Sequence, residues 1–120
     1  MAYREPGAGE LDKHVLLRRR DDVPADDMGL ESVFSDVNPR WAKIEPVGSA
    51  VYSGSVQTEA KITHRVILRY RKGITTAFEV IHGDTSYRVK RGFNMNGKTR
   101  FTVLEVEELG LEQVGGGVYV

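Results

Sequence analysis

A chain of 120 residues, 40% hydrophobic and 28% charged, is long enough for one domain with its own core and too apolar to stay disordered. Having no cysteine, it can build neither a disulfide framework nor a thiolate metal site. The formal charge of zero, 17 Lys and Arg against 17 Asp and Glu, excludes a polyanion binder that works by net charge alone.

That zero hides an asymmetry. Residues 1–60 hold 7 Lys/Arg against 11 Asp/Glu, a balance of −4, whereas residues 61–120 hold 10 against 6, a balance of +4. Two readings fit: a mixed solvated surface, or charge complementarity between neighbouring copies in an assembly. The absence of cysteine fits an intracellular assembly site, and the N-terminus, MAYREPGAGELDK, with no apolar core, does not read as a signal peptide. No apolar run approaches the roughly 20 residues that span a bilayer, so no membrane association is expected.

Residues 1–8 are Gly/Pro-rich and read as a flexible arm ahead of a core at about 9–109. Residues 14–20 (HVLLRRR) form the first predicted strand. Residues 21–32 (DDVPADDMGLES) are acids and turn-formers with too little apolar area to offset their ordering, and predict a long exposed loop. Residues 33–37 and 41–44 form one strand interrupted at Asn38-Pro39; proline donates nothing to a ladder, so the strand lies at an edge or carries a bulge there.

Residues 47–60 allow a short helix through Tyr52, Val56 and Ala60, weakened by Gly48 and Gly54. Residues 63–71 (THRVILRYR) alternate, Val66, Leu68 and Tyr70 opposite Arg65, Arg69 and Arg71 with Ile67, which predicts a strand with one buried face. Residues 78–82 and 86–93 follow, joined at Gly83-Asp84, with Tyr87, Val89, Arg91 and Phe93 on one face. Asn96-Gly97 predicts a hairpin into residues 98–107, where apolar residues on both faces indicate a central or covered strand. Residues 110–120 form a Gly-rich tail. The aromatic and aliphatic residues of 41–75, Trp41 included, are assigned to the core.

Six short strands with hairpin turns and at most one short helix predict a single, mainly β domain, a small antiparallel barrel with one long loop. The expectation for chemistry is negative. His14, His64 and His82 sit in different predicted strands without metal-ligand spacing, and neither Gly48-Ser49-Ala50 nor Gly54-Ser55 resembles a nucleophile elbow. Asp21/Asp22, Asp26/Asp27 and Glu107/Glu108 are carboxylate pairs in wet surroundings, unsuited to dividing acid and base roles. No catalytic residue, metal or cofactor is expected. Nucleic-acid binding is the alternative: Arg18–Arg20, Arg69 with Arg71 and Lys72, and Arg88 with Lys90 and Arg91 are basic clusters of the kind found on oligonucleotide-binding barrels. Tyr87, however, falls on the opposite face from Arg88 and Lys90 and reads as core rather than a stacking platform.

The ordered set of segments resembles the head–tail joining, or head-closure (stopper, head completion), family of tailed bacteriophages and prophages. It runs from Gly9-Glu10-Leu11-Asp12-Lys13 through Trp41-Ala42-Lys43-Ile44-Glu45-Pro46, Thr63-His64-Arg65-Val66-Ile67-Leu68-Arg69-Tyr70-Arg71 and Gly73-Ile74-Thr75 to Gly83-Asp84-Thr85-Ser86-Tyr87-Arg88-Val89, and covers roughly residues 9–108. Gly48 to Gly54 replaces a segment that is more helical in the family, and the tail lies outside the pattern. The resemblance implies a non-catalytic barrel subunit of the virion's head–tail connector, made in the host cytoplasm. It would assemble into a ring, commonly dodecameric, between a portal or adaptor protein and a tail terminator or tail tube protein, with genomic double-stranded DNA passing through unbound. It further implies that the acidic loop, Asp21, Asp22, Asp26, Asp27 and Glu31, lines the lumen as a negative collar. Asn38, Pro39 and Arg40, with Val118, Tyr119 and Val120 of the tail, are the expected neighbour contacts.

Overall fold

A computed structural model describes residues 4–7, 9–47 and 61–111. Six antiparallel strands, β1 (Lys13–Pro24), β2 (Leu30–Pro46), β3 (His64–Arg69), β4 (Phe78–His82), β5 (Thr85–Asn94) and β6 (Phe101–Leu111), close into a barrel in the order β1-β2-β3-β6-β5-β4. Every strand is therefore paired on both sides over part of its length, and the barrel proper presents no open sheet edge. The helix expected within residues 47–60 lies, from residue 48 on, outside the described residues; of the tail expected at residues 110–120, Gly110 and Leu111 instead end β6, paired with Ser86 and Thr85, and the rest lies outside the described residues.

Alternation builds the interior. Val15 and Leu17 of β1, Ala42 of β2, Val66 and Leu68 of β3, Phe78 and Val80 of β4, Tyr87 and Val89 of β5, and Leu104 and Val106 of β6 form one buried cluster, with Ile44 and Ile74 packed against it. Burial first, and Glu108 second, raises the Tyr87 phenol above its usual pKa. A second apolar cluster lies on the outside of the barrel. Ile67 of β3 and Phe101 and Val103 of β6 pack there with Met95, and Leu11 and Phe93 cover the edge. This cluster explains why β3 and β6 carry apolar residues on both faces. The expectation of one buried face for β3 is corrected accordingly: Ile67 is as buried as its neighbours.

The cover over β6 comes from the connection between β5 and β6. Asn96 (φ 54°) and Gly97 (φ 71°) take the left-handed conformation that an Asn-Gly pair tolerates, and the Lys98 N–H donates to the Met95 carbonyl at 3.0 Å. The expected hairpin is present, and its tight turn folds Met95 down onto Val103 and Phe101.

One face assignment is overturned by a bulge. Val89 pairs with Val106 and Arg91 with Glu105, so Lys90 is an extra residue that reverses the alternation of β5. Beyond it Gly92, not Phe93, faces inward, and a Cβ on Gly92 would sit 3.0 Å from Leu104 Cδ2. Phe93 joins the outer cluster instead.

The other departure is larger. Residues 21–32 do not form a loop. β1 and β2 continue past the barrel wall as a two-stranded ribbon, Asp21 opposite Val33, Val23 opposite Glu31 and Pro24 opposite Leu30, closed by a turn at residues 25–29. β1 pairs with β4 only from Leu16 to Arg19, and the Arg20 N–H makes a last bond to the Ala77 carbonyl at 2.9 Å. Likewise β2 pairs with β3 only over residues 42–46. The outer half of the hairpin is held by its own ladder alone and draws the molecule out to 49 × 32 × 28 Å. Local turn chemistry suggested a loop; cross-strand pairing, which acts at a distance in sequence, made it a ribbon.

Candidate assembly interface

The ribbon is rooted by a buried carboxylate. Glu79, on the outer face of β4, is 2% exposed and lies under three arginines: Arg18 at 3.1 Å, Arg20 at 3.3 Å and Arg88 at 3.9 Å. Arg18 also spreads its guanidinium 3.8 Å from the centroid of the Phe34 ring on β2. Arg88 donates in addition to the Thr76 carbonyl at 3.1 Å. Burial lowers the pKa of Arg20, but the hydrogen bond and charge of Glu79 outweigh it and the net shift is upward.

A bulge supplies a second tie. Leu17 pairs with Asn38 and Arg19 with Ser35, leaving an extra residue on β2, where Asp36 takes φ 50°. The distortion turns the Asp36 carboxylate toward Arg71, with which it forms an ion pair. Arg71 in turn lies 5.3 Å from the Phe78 ring of the interior. Asn38 Nδ2 donates to Asp36 at 2.8 Å and holds the bulge. Arg71, then Asn38, keep the Asp36 carboxyl below the usual carboxylate range. The expected alternatives for Asn38-Pro39, edge or bulge, both hold: the bulge immediately precedes Asn38, and Pro39 lies where β2 pairs with β1 alone.

The five acids expected to act together divide into two groups. Asp21 pairs with Arg19 at 3.1 Å and Asp22 with Arg20 at 3.3 Å, each two positions along the same face. The Ser32 hydroxyl donates to Asp22 at 2.9 Å and, with Arg20, keeps that carboxyl low. Asp26, Asp27 and Glu31, at the tip, form no ion pair among the described residues. The tip is nonetheless ordered. The Ala25 N–H donates to the Gly29 carbonyl at 3.0 Å, the Met28 N–H to the Ala25 carbonyl at 3.1 Å, and the Gly29 N–H to Asp27 Oδ1 at 3.1 Å.

The ribbon also carries apolar side chains that stay exposed among the described residues: Met28 (97% exposed), Leu30 (74%), Val33, Phe34 on the side away from Arg18, Val37 and, at its base, Trp41 (59%). Trp41 is thus corrected from core to surface, where its ring lies 5.0 Å from that of His14, edge to face. Sequence reasoning missed this row, because alternation assigns a strand's apolar residues to the core without showing where the core ends. It also missed Glu79, whose one signal is a single acid inside the apolar strand FEVIH.

Beside Trp41, where β2 leaves β3, two adjoining clefts open on the outer face. Both are lined by Leu11, Trp41 and Arg69; one adds Arg40, the other Arg100 and Phe101. Residues 4–7 border the second, tied by Arg4 to Glu10 at 2.9 Å and by Glu5 to Arg100 at 3.2 Å. Arg4 and Lys43 hold the Glu10 carboxyl below its usual range. Of the expected contact residues, Pro39 and Arg40 line the clefts; Val118, Tyr119 and Val120 lie outside the described residues.

Among the described residues most cations of the expected basic clusters are already paired with acids. Arg18, Arg20 and Arg88 converge on Glu79, Lys90 meets Glu107 at 3.2 Å, Arg91 meets Glu105 at 2.9 Å, and Tyr87 is buried. Among the described residues no three His, Asp or Glu side chains group in a way that could hold a metal, and no helix is long and apolar enough to cross a membrane.

Comparison with known proteins identifies this architecture. The sequence model of the phage head completion protein family matches residues 7–109, from the arm through β6. The chain belongs to the phage head completion protein family. It is a family of structural proteins of the phage head, and membership makes the chain virion-associated. Among solved structures, protein SF1141 from Shigella flexneri 2a has the same fold, with a TM-score of 0.63 at 18% identity over 85% of this chain and 96% of that one. No curated protein matches the sequence.

Proposed function

We propose that this head completion protein is a non-catalytic subunit of the head–tail connector, copies of which form a ring that closes the DNA-filled head and offers the tail its attachment surface. The observation that carries the reading is the ribbon. A closed barrel satisfies its own strands, yet β1 and β2 extend beyond it, and the hairpin they form carries six exposed apolar side chains and an acidic tip left open by the rest of the described residues. Apolar surface of this extent on a small domain marks a protein contact. The head-side neighbour would be a portal or adaptor protein and the tail-side neighbour a tail terminator or tail tube protein; genomic DNA would pass without specific binding.

The test is to disrupt the gene in the phage or prophage that encodes it and examine the particles. Expected are capsids that package DNA but lose it to nuclease, beside separate, unattached tails. Tailed particles that retain their DNA overturn the reading.

A further inference from the structure

We propose that the acidic tip of the β1–β2 ribbon of one copy seats in the cleft beside Trp41 of a second copy. The inference deepens the ring reading above and rests on it, because it needs copies side by side.

The two surfaces match in chemistry. The tip presents Met28 and Leu30 with the carboxylates of Asp26, Asp27 and Glu31, which form no ion pair among the described residues. The clefts present the exposed indole of Trp41 with Leu11 and Phe101, rimmed by Arg40, Arg69 and Arg100. Of these cations Arg100 has an acid partner, Glu5. Arg69 lies 5.8 Å from the Phe101 ring with no acid beside it among the described residues, and the Arg40 Nε is buried with no hydrogen-bond partner there. Apolar contact supplies the area, and the charges set orientation and reject a reversed approach.

Geometry makes the occupant a neighbour's tip. Leu30 and Trp41 are eleven residues apart on one extended strand, about 36 Å at 3.3 Å per residue, so a tip cannot fold back onto its own cleft. The tip is also pre-ordered by its own hydrogen bonds, which lowers the ordering cost of docking. Because giver and receiver are different patches, each copy can do both. A head-to-tail contact of this kind generates a closed ring when the rotation between copies closes.

The chain has no cysteine, so a Met28→Cys, Arg69→Cys double variant introduces the only two thiols, both at exposed positions. Particles assembled with it are oxidised and run on a non-reducing gel, and a parallel sample is treated with an amine-reactive cross-linker. Expected is a disulfide ladder extending beyond the dimer, with either single variant giving at most a dimer. Amine cross-links without a disulfide ladder overturn the docking and leave the ring reading standing; the tips then point elsewhere, the lumen included. Absence of both kinds of link sinks both readings. Charge exchange asks the same question without thiols. Asp26→Lys and Arg69→Glu are each expected to lower the titre of tailed particles at least tenfold, and the pair together to restore it. Full titre in the single variants, or no recovery in the pair, overturns the docking.

Discussion

The Arg18 guanidinium lies 3.8 Å from the centroid of the Phe34 ring and donates to Glu79 at 3.1 and 3.2 Å. One side chain thereby couples three strands: β1, which carries it, β2, whose ribbon half holds Phe34, and β4, whose Glu79 is buried in the barrel wall. The ribbon has no apolar core of its own, so its alignment with the barrel depends on this contact and on the Asp36–Arg71 pair.

Removing the carboxylate leaves three arginines facing one another. Glu79→Ala is expected to cost about 3–5 kcal/mol, the range for breaking a buried ion pair from one side. Glu79→Gln keeps the shape and part of the hydrogen bonding and should cost less. Urea denaturation of both variants measures the difference; equal stability to wild type for Glu79→Ala refutes a structural role for the cluster.

Phe34→Ala removes the stacking partner without uncovering the barrel core. About 1 kcal/mol of stability should be lost, a figure set by a partly exposed cation–π contact. The clearer effect should be local, with faster amide exchange in residues 20–34 and unchanged exchange in β3 and β6.

Acid should loosen the ribbon first. Asp22 and Asp36 have carboxyls held below the ordinary value of 3.8, by the Ser32 hydroxyl with Arg20 and by Arg71 with Asn38 respectively. A carboxyl whose folded pKa is depressed contributes stability that is fully present above the ordinary pKa and lost as pH falls through the folded one. Exchange protection in the ribbon is therefore expected to hold down to about pH 4 and to fail below it. Asp36→Asn should weaken protection at neutral pH and flatten the acid dependence. An unchanged acid profile in that variant argues against the Asp36–Arg71 tie.

Met95 covers the outside of β6 from a turn of three residues. Met95→Ala should cost about 2–5 kcal/mol, the usual range for truncating a fully buried Met. At the other face, Gly92→Val places side-chain bulk against Leu104 and should cost about 1–3 kcal/mol by overpacking. Thermal melts of the two variants report both.

Because Arg18, Arg20, Arg88 and Arg91 are already paired with carboxylates, purified protein should bind neither duplex nor single-stranded DNA tightly at moderate salt. A fluorescence-anisotropy titration checks this. Tight binding that falls steeply with salt would favour the small nucleic-acid-binding barrel instead.

Much of the fold was legible in the chain. Val66 and Leu68, Tyr87 and Val89, and Leu104 and Val106 announce strands by period two, and Asn96-Gly97 announces the turn between the last pair; strand period and turn chemistry are local properties, carried by a few adjacent residues. Asn38-Pro39 likewise marked the irregularity of β2, since a missing N–H acts wherever the residue sits. The ordered segments along the chain were enough to indicate the family.

Tertiary structure alone decided what the exceptions do. Lys90 bulges because β5 must meet β6 in a register that Val89 and Val106 set, and so Gly92 rather than Phe93 faces inward. Glu79 tolerates burial because Arg18 and Arg20, distant in sequence, and Arg88, its partner across the β4–β5 hairpin, arrive over it. The acidic stretch at residues 21–32 became a ribbon because β1 and β2 go on pairing after the barrel has ended. Period two shows which residues share a face; only the closed sheet shows whether that face meets a core or water, and so left Trp41, Leu30 and Met28 on the surface.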